Sequence, residues 1–308
     1  MKIIISGALG HIGSFLIRRL PDFFINNEFL LIDNFLTQRY CSLFDLNHNI
    51  KYKFLEADIT QLDLSNLIEE GDVIIHLAAI TDAANSFNKK EETEKNNFIS
   101  TKKIADMCME KKAKLIHISS TSVYGTQNDF VDESCSKDEL KPQSPYAECK
   151  LKEENYLKNL SDLQFVTLRF GTIFGFSEGI RFHTAVNKFC WQASIGQPVT
   201  IWKTALNQNR PYLALVDALK AITHIIKNNL FNKEIYNVLT LNTSVNSIIE
   251  VIKKVIPNLK VELVDNVIMN QLSYHVLNDK FIKTNFAFSG NLELEIKNTL
   301  QKLTFKNN

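Results

Sequence analysis

The chain has 308 residues, 45% of them hydrophobic, enough for a sizeable core in one large domain or two. Lys plus Arg number 35 against 34 Asp plus Glu, and the resulting net charge of +1 projects no field suited to nucleic acid or an anionic membrane surface. The five cysteines, Cys41, Cys108, Cys135, Cys149 and Cys190, are odd in number and lack Cys-x-x-Cys spacing, which excludes complete intrachain pairing and fits reduced cytosolic thiols.

In chain order, Lys2 to Ser6 reads as a first strand. Gly7 and Gly10 interrupt its apolar run far short of a signal-peptide core or a membrane span, so a cytoplasmic protein with no membrane partner is expected. The strand enters Gly7-Ala8-Leu9-Gly10-His11-Ile12-Gly13 and then a helix carrying Phe15, Leu16, Ile17 and Leu20. Glycines at that spacing let the backbone turn tightly and approach a pyrophosphate, while free amides at the helix start favour its charge. A second strand, Phe29 to Ile32, ends at Asp33, about 20 residues beyond Gly13, where an acid accepts the adenosine ribose hydroxyls and repels a 2′-phosphate. NAD is therefore favoured over NADP, with Arg39 nearby keeping the second open. Asp58 and Ile59 follow a third strand, Lys53 to Leu55; Asp58 is either an adenine contact or a solvated turn acid.

Val73 to Leu77 reads as a fourth strand, and Lys89 to Lys112 as a crossover helix burying Phe98, Ile104 and Met107. The strand Lys114 to Ser119 then enters the hydroxyl cluster Ser119-Ser120-Thr121-Ser122. Downstream, Tyr146 and Lys150 stand four residues apart, on one face of a helix, where an ammonium favours the ionised phenol. A free tyrosine titrates near pH 10, so about 4 kcal/mol of differential stabilisation, from a lysine and a cationic nicotinamide, brings it into range as a base. Alone, the pair is also a common chance spacing.

Phe165 to Arg169 is a further strand, and the alternation so far is that of a parallel sheet covered by helices. After Phe170, glycines at 171, 175, 179 and 196 break the pattern. Asp217 to Asn228 reads as a helix rejoining the first region, Ile235 to Leu239 as a strand, and Ser244 to Ile256 as a helix of the second. The expected architecture is α/β, a doubly wound parallel sheet with a smaller, irregular α/β domain. Residues 1–171, with 211–240 returning to them, form the dinucleotide domain; 172–308 form a discontinuous substrate domain. His76 and His117 lie on buried strands as core histidines without metal-ligand company.

The ordered set consists of the three glycines, Asp33, Asp58-Ile59, His76-Leu77-Ala78-Ala79, Asn97, Ser119 to Gly125, Tyr146 with Lys150, and Arg169-Phe170-Gly171-Thr172-Ile173-Phe174-Gly175. Gly196 to Trp202, Arg210 to Asp217 and Asn278-Asp279-Lys280 extend it. This set resembles the extended short-chain dehydrogenase/reductase family, in its NAD-dependent sugar-nucleotide epimerase and dehydratase branch. The resemblance implies a Rossmann-type fold, a homodimer, and an oxidoreductase or epimerase of carbohydrate synthesis, in surface-polysaccharide precursor supply. It implies a cofactor site at Gly7, Gly10, His11, Ile12, Gly13, Asp33, Asp58, Ile59, Leu77, Ala78, Ala79, Asn97, Tyr146, Lys150 and Phe170. It makes Ser120, Tyr146 and Lys150 catalytic: Ser120 binds the substrate oxygen, Tyr146 is the base, and Lys150 lowers its pKa and holds the nicotinamide ribose. Substrate contacts are implied at Thr81, Ser122, Thr172, Ala185, Val186, Trp202 and Arg210, the last pairing with a diphosphate. Trp202 is either a stacking platform for the base or a core aromatic.

The sequence departs from two branches of that family. Dehydratases of this kind usually carry Thr-Asp-Glu-Val-Tyr where this chain has Ser120-Thr121-Ser122-Val123-Tyr124, so no acid is placed to protonate a leaving hydroxyl. UDP-hexose 4-epimerases place an Asn where Thr172 stands, and no second phosphate-binding arginine is found in Val267 to Leu277. The expected activity is therefore NAD-dependent oxidation of the C4 hydroxyl of a nucleotide-linked hexose or heptose, as a 4-epimerase or a 4-dehydrogenase. A non-catalytic NAD-binding sensor and a small-molecule ketoreductase are the alternatives.

Overall fold

The structure is a computed structural model that describes residues 1–81, 87, 90–125, 130–265 and 273–304. Seven parallel strands form the main sheet: β1 (Lys2–Ser6), β2 (Glu28–Asp33), β3 (Lys51–Glu56), β4 (Val73–His76), β5 (Lys114–Ser120), β7 (Gln164–Phe170) and β11 (Ile235–Val238). Their spatial order is β11-β7-β5-β4-β1-β2-β3. The order reverses between β1 and β4, so a crevice opens beyond the carboxyl ends of these two strands, where doubly wound sheets bind ligands. The fold is the Rossmann-type doubly wound sheet that the alternation predicts.

Burial on both faces explains why the central strands β1 and β4 read as unbroken apolar runs, while the edge strand β3 keeps Lys51, Lys53 and Glu56 exposed. Ile3 and Ile5 point into one core with Leu16 and Ile17 of α1 (His11–Arg19) and Ala218, Ile222 and Ile225 of α5 (Leu215–Lys227). Ile4 points into the opposite core with Ile104, Ala105 and Cys108 of α2 (Lys90–Lys111) and Leu157 of α3 (Pro145–Lys158). Each fully buried isoleucine contributes about 1.5–3 kcal/mol, so the alternation fixes the register of β1.

The predicted stripe of the crossover helix is corrected in part. Ile104 is buried, but Phe98 and Met107 are only partly so. Phe98 instead meets the edge of Tyr156 on α3 at 5.6 Å, because α3 packs beside α2. The inner face of α2 carries Thr93, Asn97, Ser100 and Thr101, polar because this half borders the crevice. Lys89, the predicted start, lies outside the described residues, as does most of Val267 to Leu277.

The rest of the chain builds smaller sheets. β10 (Asn209–Ala214) pairs parallel with β8 (Thr172–Phe174) and antiparallel with β12 (Leu241–Ser244). β9 (Val199–Trp202) pairs with β13 (Val261–Val264), and β6 (Phe130–Val131) with β14 (His275–Val276). Phe174, Val186, Phe189, Tyr212, Ile248, Ile252 and Leu300 share a separate core, made by α4 (Ala185–Ser194), α6 (Val245–Val255) and α8 (Leu292–Leu303). A short α7 (Asp279–Ile282) adjoins β11. Among the described residues no helix is long and apolar enough to cross a membrane.

Candidate functional site

The glycine turn after β1 forms the floor of a cavity of about 290 Å³ at the reversal point. Gly7 has φ +71°, and a Cβ there would lie 2.7 Å from the Ala78 amide nitrogen beyond β4. A Cβ on Gly13 would lie 2.4 Å from the Gly7 carbonyl. Both positions therefore demand glycine, one by conformation and closeness and one by closeness alone. The start of α1 has no side-chain cap, so its first amides face the cavity unscreened.

Asp33 closes the β2 end of the wall, accepting hydrogen bonds from Leu9 N and Phe35 N, both at 3.0 Å. Arg39 shares that wall, and beside it Asp58 and Ile59 follow β3. The Asp58 carboxyl is pushed up by burial, but hydrogen bonds from Thr60 and Asn34 outweigh this and hold it below its ordinary value. Leu77, Ala78, Ala79 and Thr81 continue the wall past β4. Asn97 does not reach it: Oδ1 accepts Ile80 N at 2.8 Å and Nδ2 donates to Ile80 O at 3.0 Å. Its role is to fix the strand-end loop, and Asn96 and Ser100 are the α2 residues that face the cavity.

A loop after β8 closes over the glycine turn, a contact no pattern in the sequence foretold. Ser177 Oγ donates to His11 O at 2.9 Å, and Gly179 N donates to Ser14 Oγ at 2.9 Å. His11 Nε2 lies 2.9 Å from the Gly175 carbonyl, which can only accept, so Nε2 carries the proton. Burial and then Arg181 hold the His11 imidazole down to about 3, keeping it neutral. Its Nδ1 is a buried acceptor with no partner among the described residues.

Ser144 sets the start of α3: its Oγ accepts from Ala147 N at 3.2 Å, and Pro145 occupies the first turn, where a missing amide costs nothing. Tyr146 and Lys150 then face the carboxyl end of β5. Lys150 Nζ lies 6.0 Å from the Tyr146 ring centre and donates to Glu153 Oε2 at 2.9 Å. Burial raises the Tyr146 phenol above its ordinary value, and Lys150 and Arg181 offset this only in part. Lys150 acts to lower this pKa, as expected, but burial outweighs it. Burial depresses the Lys150 ammonium, yet Glu153 and Tyr146 reverse this and hold it above the ordinary lysine range.

Ser120 ends β5, with its Oγ accepting from Ser122 Oγ at 2.9 Å and Ser122 N at 3.2 Å. Arg181 links this region to the cavity, since its Nη1 donates to Thr81 Oγ1 and its charge acts on Tyr146. Ser120, Tyr146 and Lys150 do not line this cavity; α3, which carries the last two, packs against β5 and the turn after Ser120. Phe170 is 4% exposed, with its carbonyl accepting from Thr121 Oγ1, so it supports the site from within.

The residues expected to touch substrate are dispersed. Thr81 is on the wall; Thr172 pairs with Tyr212 between β8 and β10. Arg210 lies on β10 with Nη2 donating to Gln208 Oε1 at 3.1 Å, and Trp202 is 37% exposed at the end of β9, which overturns the core-aromatic reading. Ala185 and Val186 open α4; the Val186 side chain is in the core, so only its backbone can meet a ligand. His117 is a satisfied core histidine, whereas His76 binds Ser6 Oγ through Nδ1 at 2.7 Å and leaves Nε2 without a partner among the described residues.

The residues present fit a dinucleotide. The glycine cradle is one that a Cβ would fill, uncapped helix amides face it, and a carboxylate stands where a ribose would lie. A profile of the NAD dependent epimerase/dehydratase family matches residues 3–238, and the chain belongs to that family. It is an NAD-dependent enzyme of the extended short-chain dehydrogenase/reductase type.

A trifunctional UDP-glucose 4,6-dehydratase/UDP-4-keto-6-deoxy-D-glucose 3,5-epimerase/UDP-4-keto-L-rhamnose-reductase of Arabidopsis thaliana is 29% identical over 327 residues, covering 98% of this chain and 47% of that protein. The chain thus spans about half the length of that relative. The UDP-glucuronic acid 4-epimerase of Bacillus cereus, solved with UDP-glucuronic acid and NAD, is 26% identical with a TM-score of 0.87, covering 98% of this chain and 99% of that one. The UDP-N-acetylglucosamine 4-epimerase of Methanobrevibacter ruminantium, at 24% identity and a TM-score of 0.85 over 97% of each chain, shares the fold.

Proposed function

We propose that the protein oxidises the C4 hydroxyl of a nucleotide-diphosphate sugar, hexose or heptose, and returns it inverted, as an NDP-sugar 4-epimerase supplying surface-polysaccharide precursors in the cytoplasm. The observation that carries this reading is the packing of α3, which carries Tyr146 and Lys150, against β5 and the turn after it, where Ser120 stands, with Arg181 acting on Tyr146 and bonded to Thr81 of the cavity wall. Residues 1–171 with the later return hold the cofactor, and the remainder holds the sugar nucleotide. A homodimer is part of this reading by family likeness.

Bound NAD supplies a hydride acceptor at the sugar carbon. The chain does the rest. Ser120, its Oγ held by Ser122, orients the sugar hydroxyl. Tyr146 takes that hydroxyl's proton, and Lys150 stabilises the phenolate formed. Gly7, Gly10 and Gly13 admit the pyrophosphate; Asp33 receives the adenosine ribose. Arg210, exposed in part on β10, pairs with the substrate diphosphate, and Trp202 offers a face to its base. The turn after Ser120 carries Thr121 and Ser122 rather than acids, so loss of water, which needs an acid there, is disfavoured.

Removing the Asp33 charge tests the cofactor assignment. Asp33→Asn keeps an acceptor for one of the two turn amides and loses charge-assisted bonds to the ribose. Isothermal titration is expected to show NAD binding about tenfold weaker and the preference over NADP reduced. Unchanged affinities would place the ribose elsewhere.

The activity itself is tested by incubating the protein and NAD with UDP-, dTDP-, GDP- and ADP-linked hexoses, uronates and heptoses, and reading C4 by NMR. A C4 epimer supports the proposal. A released 4-keto sugar with stoichiometric NADH identifies the dehydrogenase variant instead. No change at C4 in any of them removes both.

A further inference from the structure

Lys150 is 4% exposed, and a buried ammonium needs an anion. That anion is Glu153, one turn further along α3 and itself 0% exposed. Glu153 is also fixed from the sheet: His117 Nε2, on β5, donates to the same Oε2 at 2.8 Å, and Thr167 Oγ1, on β7, lies 3.3 Å from His117 Nδ1. Cys149 Sγ donates to the other oxygen at 3.4 Å. One carboxylate therefore ties the lysine to the strand that ends in Ser120.

Among the described residues, the other charged groups of α3 and its neighbours are largely paired with one another, Glu148 with Lys90 of α2 for one. On α3, Glu154 forms a two-bond pair with Arg169 of β7. From α2, Glu94 pairs with Lys152. His76 on β4 is held down to about 3 by burial and then by Lys150, so it is neutral. The loop before α4 brings Arg181. Tyr146 thus faces Arg181 and an ion pair rather than a bare lysine, and the field of a pair falls faster with distance than that of a single charge.

We propose that Glu153 is a positioning residue that fixes Lys150 between α3 and β5 and offsets its charge, so that Tyr146 keeps its proton until the oxidised nicotinamide adds a second cation beside it. The base is then armed only in the complex with oxidised cofactor, which protects the protein from abstracting protons when no hydride acceptor is present. This rests on Tyr146 being the base.

The test is the tyrosinate absorbance of the full-length chain against pH, with and without saturating NAD. Subtracting the matching Tyr146→Phe curve isolates one of the eight tyrosines. Glu153→Gln is expected to lower the Tyr146 midpoint without NAD by about one unit or more, and to shrink the further drop on adding NAD. Glu153→Asp, which keeps the charge, is expected to titrate within about 0.3 unit of wild type. A folded Glu153→Gln protein that titrates with wild type overturns the proposal. Should that variant not fold, Lys150→Met and the neutral pair Lys150→Met/Glu153→Met replace it. The double variant is expected to titrate about one unit or more below the single, and equal midpoints overturn the proposal. Since no sugar is present, this result can fail while Tyr146→Phe still abolishes turnover, and the reverse also holds.

Discussion

Tyr146→Phe is expected to lower kcat by about 10²- to 10⁴-fold while leaving NAD affinity within about threefold. The phenol stands at the start of α3, partly buried, beside Lys150 and within the field of Arg181. Removing one oxygen deletes the proton acceptor without opening a cavity, since the ring and its packing stay. The loss should therefore appear in turnover and not in stability or cofactor binding. Steady-state kinetics on whichever sugar nucleotide is turned over, with fluorescence titration of NAD, separates the two quantities. Unchanged kcat would remove Tyr146 from the chemistry, and a loss confined to NAD affinity would recast it as a cofactor ligand.

The second large effect concerns the support under the site. Glu154→Gln is expected to destabilise the protein by about 3–5 kcal/mol, because it leaves a buried guanidinium without its anion. Arg169 and Glu154 are each 4% exposed, and they meet through Nε to Oε1 at 2.9 Å and Nη2 to Oε2 at 2.6 Å. Ser119 Oγ donates to Oε1 at 2.5 Å, and Arg169 Nη1 donates to Tyr124 Oη at 2.9 Å. The pair therefore clamps α3 to β5, β7 and the Thr121–Tyr124 turn, the elements that place Tyr146 and Ser120. A melting temperature lower by roughly 5–8 °C is expected for a chain of this length. Replacing both partners by apolar residues of similar size should recover much of that loss, because no charge is then left unpaired. A single variant as stable as wild type would show that the pair contributes little.

The parallel sheet was legible because its central strands, β1 and β4 above all, are apolar on both faces, whereas the edge strand β3 and the polar inner face of α2 carry weaker patterns. Ile3, Ile4 and Ile5 divide between two cores, and such a run admits few other arrangements. The glycine turn was legible for a similar reason, since Gly7 and Gly13 occupy positions where any Cβ meets backbone. Less was legible wherever a side chain works through a distant neighbour. Asn97 bonds the Ile80 backbone, and the loop from Gly175 to Gly179 seals α1; both depend on contacts between segments far apart in the chain.

Glu153 marks the boundary between the two cases. Its spacing of three from Lys150 is a helical ion-pair signal that was open to view. Its burial and its bond to His117 on a strand 36 residues earlier come only from the packing of α3 on the sheet. The same packing explains why Lys150 does not by itself bring Tyr146 into range: burial penalises the phenolate more than a compensated lysine supports it. In the second region, short strands and irregular loops leave no period to read, and Arg210 and Trp202 were found only through a motif.

In the proposed reaction a C–H bond at C4 of a nucleotide sugar is broken with Tyr146 as base. The most direct measurement uses a sugar nucleotide deuterated at C4, incubated with the protein and NAD. Mass spectrometry and NMR then follow the label. A primary isotope effect on turnover is expected, with deuterium retained at C4 of the epimer or carried by the cofactor, and both signals lost in Tyr146→Phe. Deuterium appearing in solvent, or product formed with the C4 bond never broken, would contradict it.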